Sequence, residues 1–280
     1  EDISNFPTTG DVDLVVPIGD SDGTDDAAKV LVSYTVIRKS PDLNSKQLNL
    51  SRSIGFQSEN SDGVAYGLAY DHKDLSLGKS DVYKIHAVLE GVPGTTTNSN
   101  PTPPNMTLTT EGTFVTNEII IGQSSGAKAR LIDYNDGNKS YFVYLNDTQF
   151  LETESIVGQT NLGVATATNV SIGSPNIKDR YFLDDGQRDG YYDIAKLTLK
   201  PGQPTPNNRI TVIFDHFIAQ GGDYFAVGSY PVGTDVTSIS YDDIPVYSPN
   251  KVDIGGFEPD GQFELSDAVD FRSHANSLIS

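Results

Sequence analysis

One ten-residue segment occurs twice in this chain. Phe114-Val115-Thr116-Asn117-Glu118-Ile119-Ile120-Ile121-Gly122-Gln123 returns as Phe150-Leu151-Glu152-Thr153-Glu154-Ser155-Ile156-Val157-Gly158-Gln159. Phe, Glu, a β-branched run, Gly and Gln keep the same offsets. Each copy then enters a small-residue strand, Gly126-Ala127-Lys128-Ala129 in the first and Gly163-Val164-Ala165-Thr166-Ala167 in the second, with one extra residue before the second Gly of the later copy. A duplicated strand–turn–strand unit is a building block of β-structure, not an active site. Two copies are too few for a solenoid, so the repeat predicts one compact pseudo-symmetric β-domain.

The rest of the chain reads in the same class. Gly, Pro, Thr, Asn and Asp are abundant, no long helical period appears, and 14 Tyr and 12 Phe are spread evenly enough to fill several modest cores. These features predict an all-β fold of two or three small antiparallel β-sandwich or barrel domains in a row, which 280 residues can supply. The expected divisions are an N-terminal β domain at 1–92, a Pro/Thr/Asn-rich linker at 93–106, a duplicated β-unit domain at 107–173 and a sandwich-like C-terminal domain at 174–280. Asp11 to Pro17 alternates, Ala28 to Arg38 is the best strand of the first unit, and Val82 to Glu90 reads as a strand or a short helix. Asn135-Asp136-Gly137 marks a turn between two strand-like runs. Arg209 to Phe217 is the clearest buried strand, with Tyr191 to Leu199 before it across Pro201-Gly202 and Asp223 to Tyr230 after it.

Charge and residue usage exclude several functions. A formal charge of -19 repels phosphates, which argues against a nucleic-acid partner, and it can attract Ca²⁺ or Mg²⁺ to the surface. With no Cys, disulfides, thiolate chemistry and Cys-based zinc sites are impossible. Such a chain can assemble in a reducing cytoplasm and work outside a cell. No run approaches the roughly 18 apolar residues of a membrane span, so no membrane insertion is expected. Glu1-Asp2-Ile3 is not a signal peptide, and Asp270-Phe271-Arg272-Ser273-His274 reads as continuing. The chain is expected to be a piece of a longer polypeptide.

Each candidate site has a structural reading that explains it better. Gly19-Asp20-Ser21 is similar to the nucleophile block of one lipase family. Asp22 stands where that block has Leu, however, and Asp270 and His274 miss the Asp-x-x-His spacing. Asp20-Ser21-Asp22-Gly23-Thr24-Asp25-Asp26 is dense enough for Ca²⁺ but departs from EF-hand spacing, and reads as a solvated acidic loop. Asp133-Tyr134-Asn135-Asp136-Gly137-Asn138 reads as a turn. In Asp184-Asp185-Gly186-Gln187-Arg188-Asp189, an Asp holding Arg188 bidentately would lock a turn. His72, His86, His216 and His274 show no ligand spacing, and His216 is expected to face solvent or meet a neighbour's carbonyl. Sugar cleavage needs two carboxylates about 5 to 9 Å apart; acidic residues abound, but the Trp platforms common in sugar sites are absent. Sequons at Asn49, Asn105, Asn138, Asn146 and Asn169 are no more than an Asn- and Thr-rich chain produces.

Several segments resemble one family in combination. They are Tyr66-Gly67-Leu68, Leu75-Ser76-Leu77-Gly78-Lys79-Ser80-Asp81-Val82-Tyr83-Lys84-Ile85-His86-Ala87-Val88 and the Gly-Gln-Ser-Ser-Gly-Ala run of the repeat. Further on come Tyr181-Phe182-Leu183-Asp184-Asp185-Gly186-Gln187-Arg188-Asp189-Gly190-Tyr191-Tyr192-Asp193, Leu199-Lys200-Pro201-Gly202, Phe214-Asp215-His216-Phe217, Gly222-Asp223-Tyr224-Phe225 and Leu265-Ser266-Asp267-Ala268-Val269-Asp270-Phe271-Arg272. Together they resemble large virion structural proteins of tailed bacteriophages, notably those of marine cyanobacteria. The resemblance implies a non-enzymatic tail, baseplate or fibre component, extracellular in the virion, whose partners are copies of itself and other virion subunits. It supplies no catalytic, cofactor-binding or metal residues, and none is assigned. The alternatives are a surface adhesin or filament subunit that binds a host glycan, with Tyr191, Tyr192 and Tyr224 as its aromatic cluster, and a polysaccharide depolymerase.

Overall fold

A computed structural model of the chain describes residues 41–58, 64–92, 100–110, 114–134, 139–186, 193–247 and 263–264, all within the compact unit Pro41–Ser280. The class is all-β: among the described residues there is no α-helix. The strands are β1 (Lys46–Phe56), β2 (Asp74–Ser76), β3 (Val82–Glu90), β4 (Asn105–Thr110), β5 (Ile119–Gly122), β6 (Lys128–Asp133) and β7 (Lys139–Tyr144), followed by β8 (Ser155–Gly158), β9 (Val164–Ser171), β10 (Tyr181–Asp184), β11 (Lys196–Leu199), β12 (Ile210–Ala219), β13 (Val246–Tyr247) and β14 (Phe263–Glu264). Among the described residues, every pairing between these strands is antiparallel. The strands expected over Asp11–Pro17 and Ala28–Arg38 lie outside the described residues.

β12 organises a sandwich. It is the middle strand of the sheet β1-β12-β3, which packs on the sheet β10-β11-β2. Ile210, Val212 and Phe214 point into the core between the sheets, against Phe56, Leu75, Leu77, Val88, Tyr181 and Leu197. Phe217, on the opposite face, enters a second core with Leu48, Leu50, Tyr230, Ile239 and Ile244. A strand covered on both faces has no polar side, which is why its sequence is a nearly unbroken apolar run. The same cause explains the imperfect alternation of β3. Ile85 and Val88 face the sandwich core while Ala87 and Leu89 face the barrel, and register shifts interrupt its ladder with β12.

This topology corrects the expected division between 1–92 and 174–280. β12 lies between β1 and β3, and β11 pairs with β2 on one side and β10 on the other. Segments on both sides of the duplicated region complete the same two sheets, because neither has enough strands to close a core alone. The domains therefore do not follow one another in a row; the barrel is an insertion in the sandwich. β11 and β12 are not a hairpin across Pro201-Gly202, since the connection carries the chain from one sheet to the other. In the expected strand Asp223–Tyr230, Tyr224 forms only an isolated bridge to Leu43, and Val227–Ser229 is a single 3-10 turn.

The duplicated region, Asn105–Ser171, is a closed six-stranded barrel in the order β4-β7-β6-β5-β8-β9. The two copies of the repeat form the hairpins β5–β6 and β8–β9. They meet at β5–β8, where Ile120 opposes Gly158, Ile121 opposes Val157 and Gly122 opposes Ile156, a register symmetric about the central pair. The strand preceding each copy is exchanged: β4 pairs with β7 and β9, and β7 with β4 and β6. Ala127, Ala129, Ala165 and Ala167 leave room inside for Phe114, Phe142 and Phe150, with the last two rings 5.2 Å apart edge to face. Large residues alternating with small ones are what a narrow barrel needs.

The chain enters and leaves the barrel at one place. Pro101 and Pro104 are buried there. The Thr102 N–H donates to Ser174 Oγ at 2.9 Å and the Ser174 N–H to the Thr102 carbonyl at 2.8 Å. Gly173 sits at φ 68°, where a Cβ would stand 2.5 Å from the Thr102 oxygen. The described end of the expected linker 93–106 is thus built into the barrel mouth.

Candidate functional site

The repeated glutamates form one symmetric polar arrangement. Glu118 is 0 % exposed and Glu154 4 %. Each follows a residue in left-handed backbone, Asn117 at φ 71° and Thr153 at φ 64°. Glu154 Oε1 accepts the Leu151 N–H at 2.6 Å and the Ser125 hydroxyl at 2.9 Å, and Oε2 accepts the N–H groups of Ser124 at 3.1 Å and Ser125 at 3.0 Å. Glu118 repeats the pattern, with Oε1 accepting from Val115 at 2.6 Å and Oε2 from Thr160 at 3.2 Å. Each carboxylate ties the turn before it to the hairpin of the other copy.

Gly122 and Gly158 complete the logic. A Cβ at Gly122 would lie 2.7 Å from both Glu154 oxygens, and one at Gly158 would lie 2.6 Å from Glu118 Oε2. The fixed Glu-to-Gly offset of the repeat is therefore one contact made twice. Burial alone would push the Glu154 carboxyl up, but the hydrogen bonds from Leu151, Ser125 and Ser124 outweigh it and hold the group below its ordinary value. A carboxylate held anionic in this way is a clamp and a poor general acid.

A second arrangement joins the barrel to the sandwich. Asp215 on β12 is 1 % exposed. Its Oδ1 accepts the N–H of Ser51, whose φ of 54° marks the break in the β1–β12 register. Its Oδ2 lies 2.7 Å from His86 Nε2 on β3 and 2.6 Å from Arg130 Nη1 on β6. With Asp215 ionised, Nε2 carries its hydrogen toward the carboxylate, and the 3.0 Å approach of Arg130 Nη1 to that nitrogen is packing. Ala87, Leu89 and Ile213 from the sheet and Val143 and Ile132 from the barrel form an apolar patch where the two bodies meet. Burial opposes the Asp215 charge, but the bond and charge of His86, the charge of Arg130 and the Ser51 N–H keep its carboxyl below the usual range. The cluster therefore works as a lock between two bodies.

His216 departs from expectation. It is fully buried, and neither ring nitrogen has a hydrogen-bond partner. The expected outward orientation fails because the sheet face it occupies is covered. Burial, reinforced by the charges of Lys79 and Arg52 and opposed by Asp81 and Asp215, lowers its pKa to about 4. Folding thus keeps the ring neutral, while the unfolded chain takes up a proton near the ordinary value of about 6.5. Stability is full above that pH and falls as pH drops from there toward about 4, approaching about 1.4 kcal/mol per pH unit. The His216→Leu variant should flatten this limb in urea titrations at stepped pH; an unchanged slope would reject the assignment.

Among the other sequence candidates, Asp184 is buried and its Oδ1 accepts the Gly186 N–H at 3.0 Å, a turn-forming contact. His72 Nδ1 accepts the Gly67 N–H at 2.8 Å and its ring stacks on Tyr66 at 4.9 Å. β6 and β7 pair on either side of the expected turn at 135–138. Asn105 is buried and donates to the Pro103 carbonyl, while Asn146 Oδ1 accepts the Lys128 N–H. Gly19 to Asp26, Asn135 to Asn138, Arg188, Asp189, Tyr191, Tyr192 and His274 lie outside the described residues. Among the described residues, no group of three or more His, Asp or Glu side chains could hold a metal ion. Sequence reasoning missed the roles of Glu118, Glu154, Asp215 and Arg130. The shared Glu-to-Gly offset, and a charge inside the most apolar strand, were the signals that could have found them.

No protein-family model, curated protein or solved structure matches the chain.

Proposed function

We propose that the chain is a non-enzymatic structural component of a phage tail fibre or baseplate, working in a symmetric extended assembly with copies of itself and other virion subunits. The observation that carries this reading is where the buried charges go. Glu118 and Glu154 bind the two copies of the repeat together, and Asp215, His86 and Arg130 bind the barrel to the sandwich. These groups are spent on joining strands, which suits a part whose work is mechanical. The resemblance of the described segments, such as Phe214-Asp215-His216-Phe217, to virion proteins supports the same reading, and subunits that repeat in a shell or tail associate through matching patches.

Cryo-electron microscopy of the native particle tests it. The expected result is density for this fold at symmetric positions in a tail or fibre, with each copy contacting others. A free chain that releases reducing sugar from a host polysaccharide would overturn the proposal.

A further inference from the structure

Lys46 opens β1 and its side chain is only 1 % exposed. Its Nζ lies 2.9 Å from Asp81 Oδ2 and 3.0 Å from the Tyr230 hydroxyl. Three rings enclose it: Tyr230 at 4.5 Å, Phe225 at 4.8 Å and Phe217 at 5.7 Å from Nζ to centroid. Asp81 immediately precedes β3, is 6 % exposed, sits in left-handed backbone at φ 53°, and its carbonyl accepts the Phe217 N–H. The pair therefore bridges the two outer strands of the sheet across β12. Strands two places apart are about 10 Å from each other, a distance the four methylenes of Lys and one of Asp can span.

We infer that Lys46 and Asp81 condense into an amide, an intramolecular isopeptide cross-link that staples β1 to β3. Burial strips hydration from both groups, which lowers the cost of passing from the charged pair through the neutral amine and acid. One proton moves from Nζ to Oδ2 along the existing contact. The Nζ lone pair then attacks Cγ, forming the C–N bond. A second proton passes from Nζ to the Oδ2 hydroxyl, with the adjacent Tyr230 hydroxyl as relay, and the Cγ–Oδ2 bond breaks to release water. Nothing is oxidised or reduced, and no co-reactant is needed. Holding amine and carbonyl together supplies the effective concentration that free groups in water lack, and the enclosing rings keep water from returning.

The chain has no Cys, so this amide would be a covalent brace indifferent to redox conditions. It stands on the geometry of the pocket alone and does not require the virion reading.

The test is the intact mass of the purified full chain, measured denatured, followed by peptide mapping. The expected mass is lower than the sequence mass by one water, with one branched peptide joining the segments that contain Lys46 and Asp81. Lys46→Arg keeps the charge but supplies no condensing amine, and should show the full mass. Wild-type protein at full sequence mass after prolonged incubation overturns the inference. So does a water loss that persists in Lys46→Arg, which would place it elsewhere, as in succinimide formation at an Asp-Gly step such as Asp185-Gly186.

Discussion

Replacing Asp215 with alanine should destabilise the folded chain by roughly 3–5 kcal/mol, the cost of leaving a buried charge without its partner. Arg130 and His86 would lose their common acceptor, and the Ser51 N–H its 2.8 Å bond to β12. Because Arg130 belongs to the barrel and the others to the sandwich, undocking should accompany the loss. Amide exchange in β6 and β7 should then rise with that in β3. Equilibrium denaturation measures the first effect and hydrogen exchange the second. The double variant Asp215→Leu with Arg130→Met should recover part of the stability, since it removes both charges of the pair but leaves His86 and the Ser51 N–H without their acceptor. A single variant within about 0.5 kcal/mol of the wild type, the range of ordinary surface changes, would refute the lock.

Glu154→Ala should open the barrel from within. It removes the acceptor of the Leu151, Ser124 and Ser125 N–H groups and of the Ser125 hydroxyl. Each buried donor left unsatisfied costs about 1–3 kcal/mol. Ser124 is exposed and can turn to water, so the net expectation is about 2–4 kcal/mol. Gly122→Ala attacks the same contact from the other side, because its methyl would occupy the space of the Glu154 oxygens. The two changes should be strongly non-additive, as expected for groups that share one interaction. Additive losses in a double-variant cycle would show that Gly122 is needed for some other reason.

The parts of the fold legible in the sequence were those fixed by local pattern. The repeat announced one pseudo-symmetric β-domain because both copies must present the same residues to one axis. Arg209–Phe217 announced a buried strand because a strand covered on both faces has no polar alternation. Partnership was not legible. Nothing near Lys46–Phe56 or Val82–Glu90 indicates that Ile210–Ala219 fills the gap between them, since pairing across so many residues leaves no short-range trace. The same limit applies at His216, whose own strand carries no sign of the packing that covers its face of the sheet. Lys46 sits in Leu43-Asn44-Ser45-Lys46-Gln47, a stretch that reads as surface; its burial depends on Phe217, Phe225 and Tyr230, which arrive far later in the chain.

Synthesis from the amino end meets the elements in an awkward order. Everything the barrel needs has been made once Ser171 is added, whereas the sheet lacks its middle strand until Ile210–Ala219 emerges. In the interval β1 and β3 each present an unpaired edge, the feature by which β-proteins most readily aggregate. The barrel is complete during that wait, with Arg130 already on its outer surface before Asp215 exists to receive it. The sheet of this chain therefore cannot close before that one strand arrives, and aggregation during expression should be most sensitive to whatever delays β12.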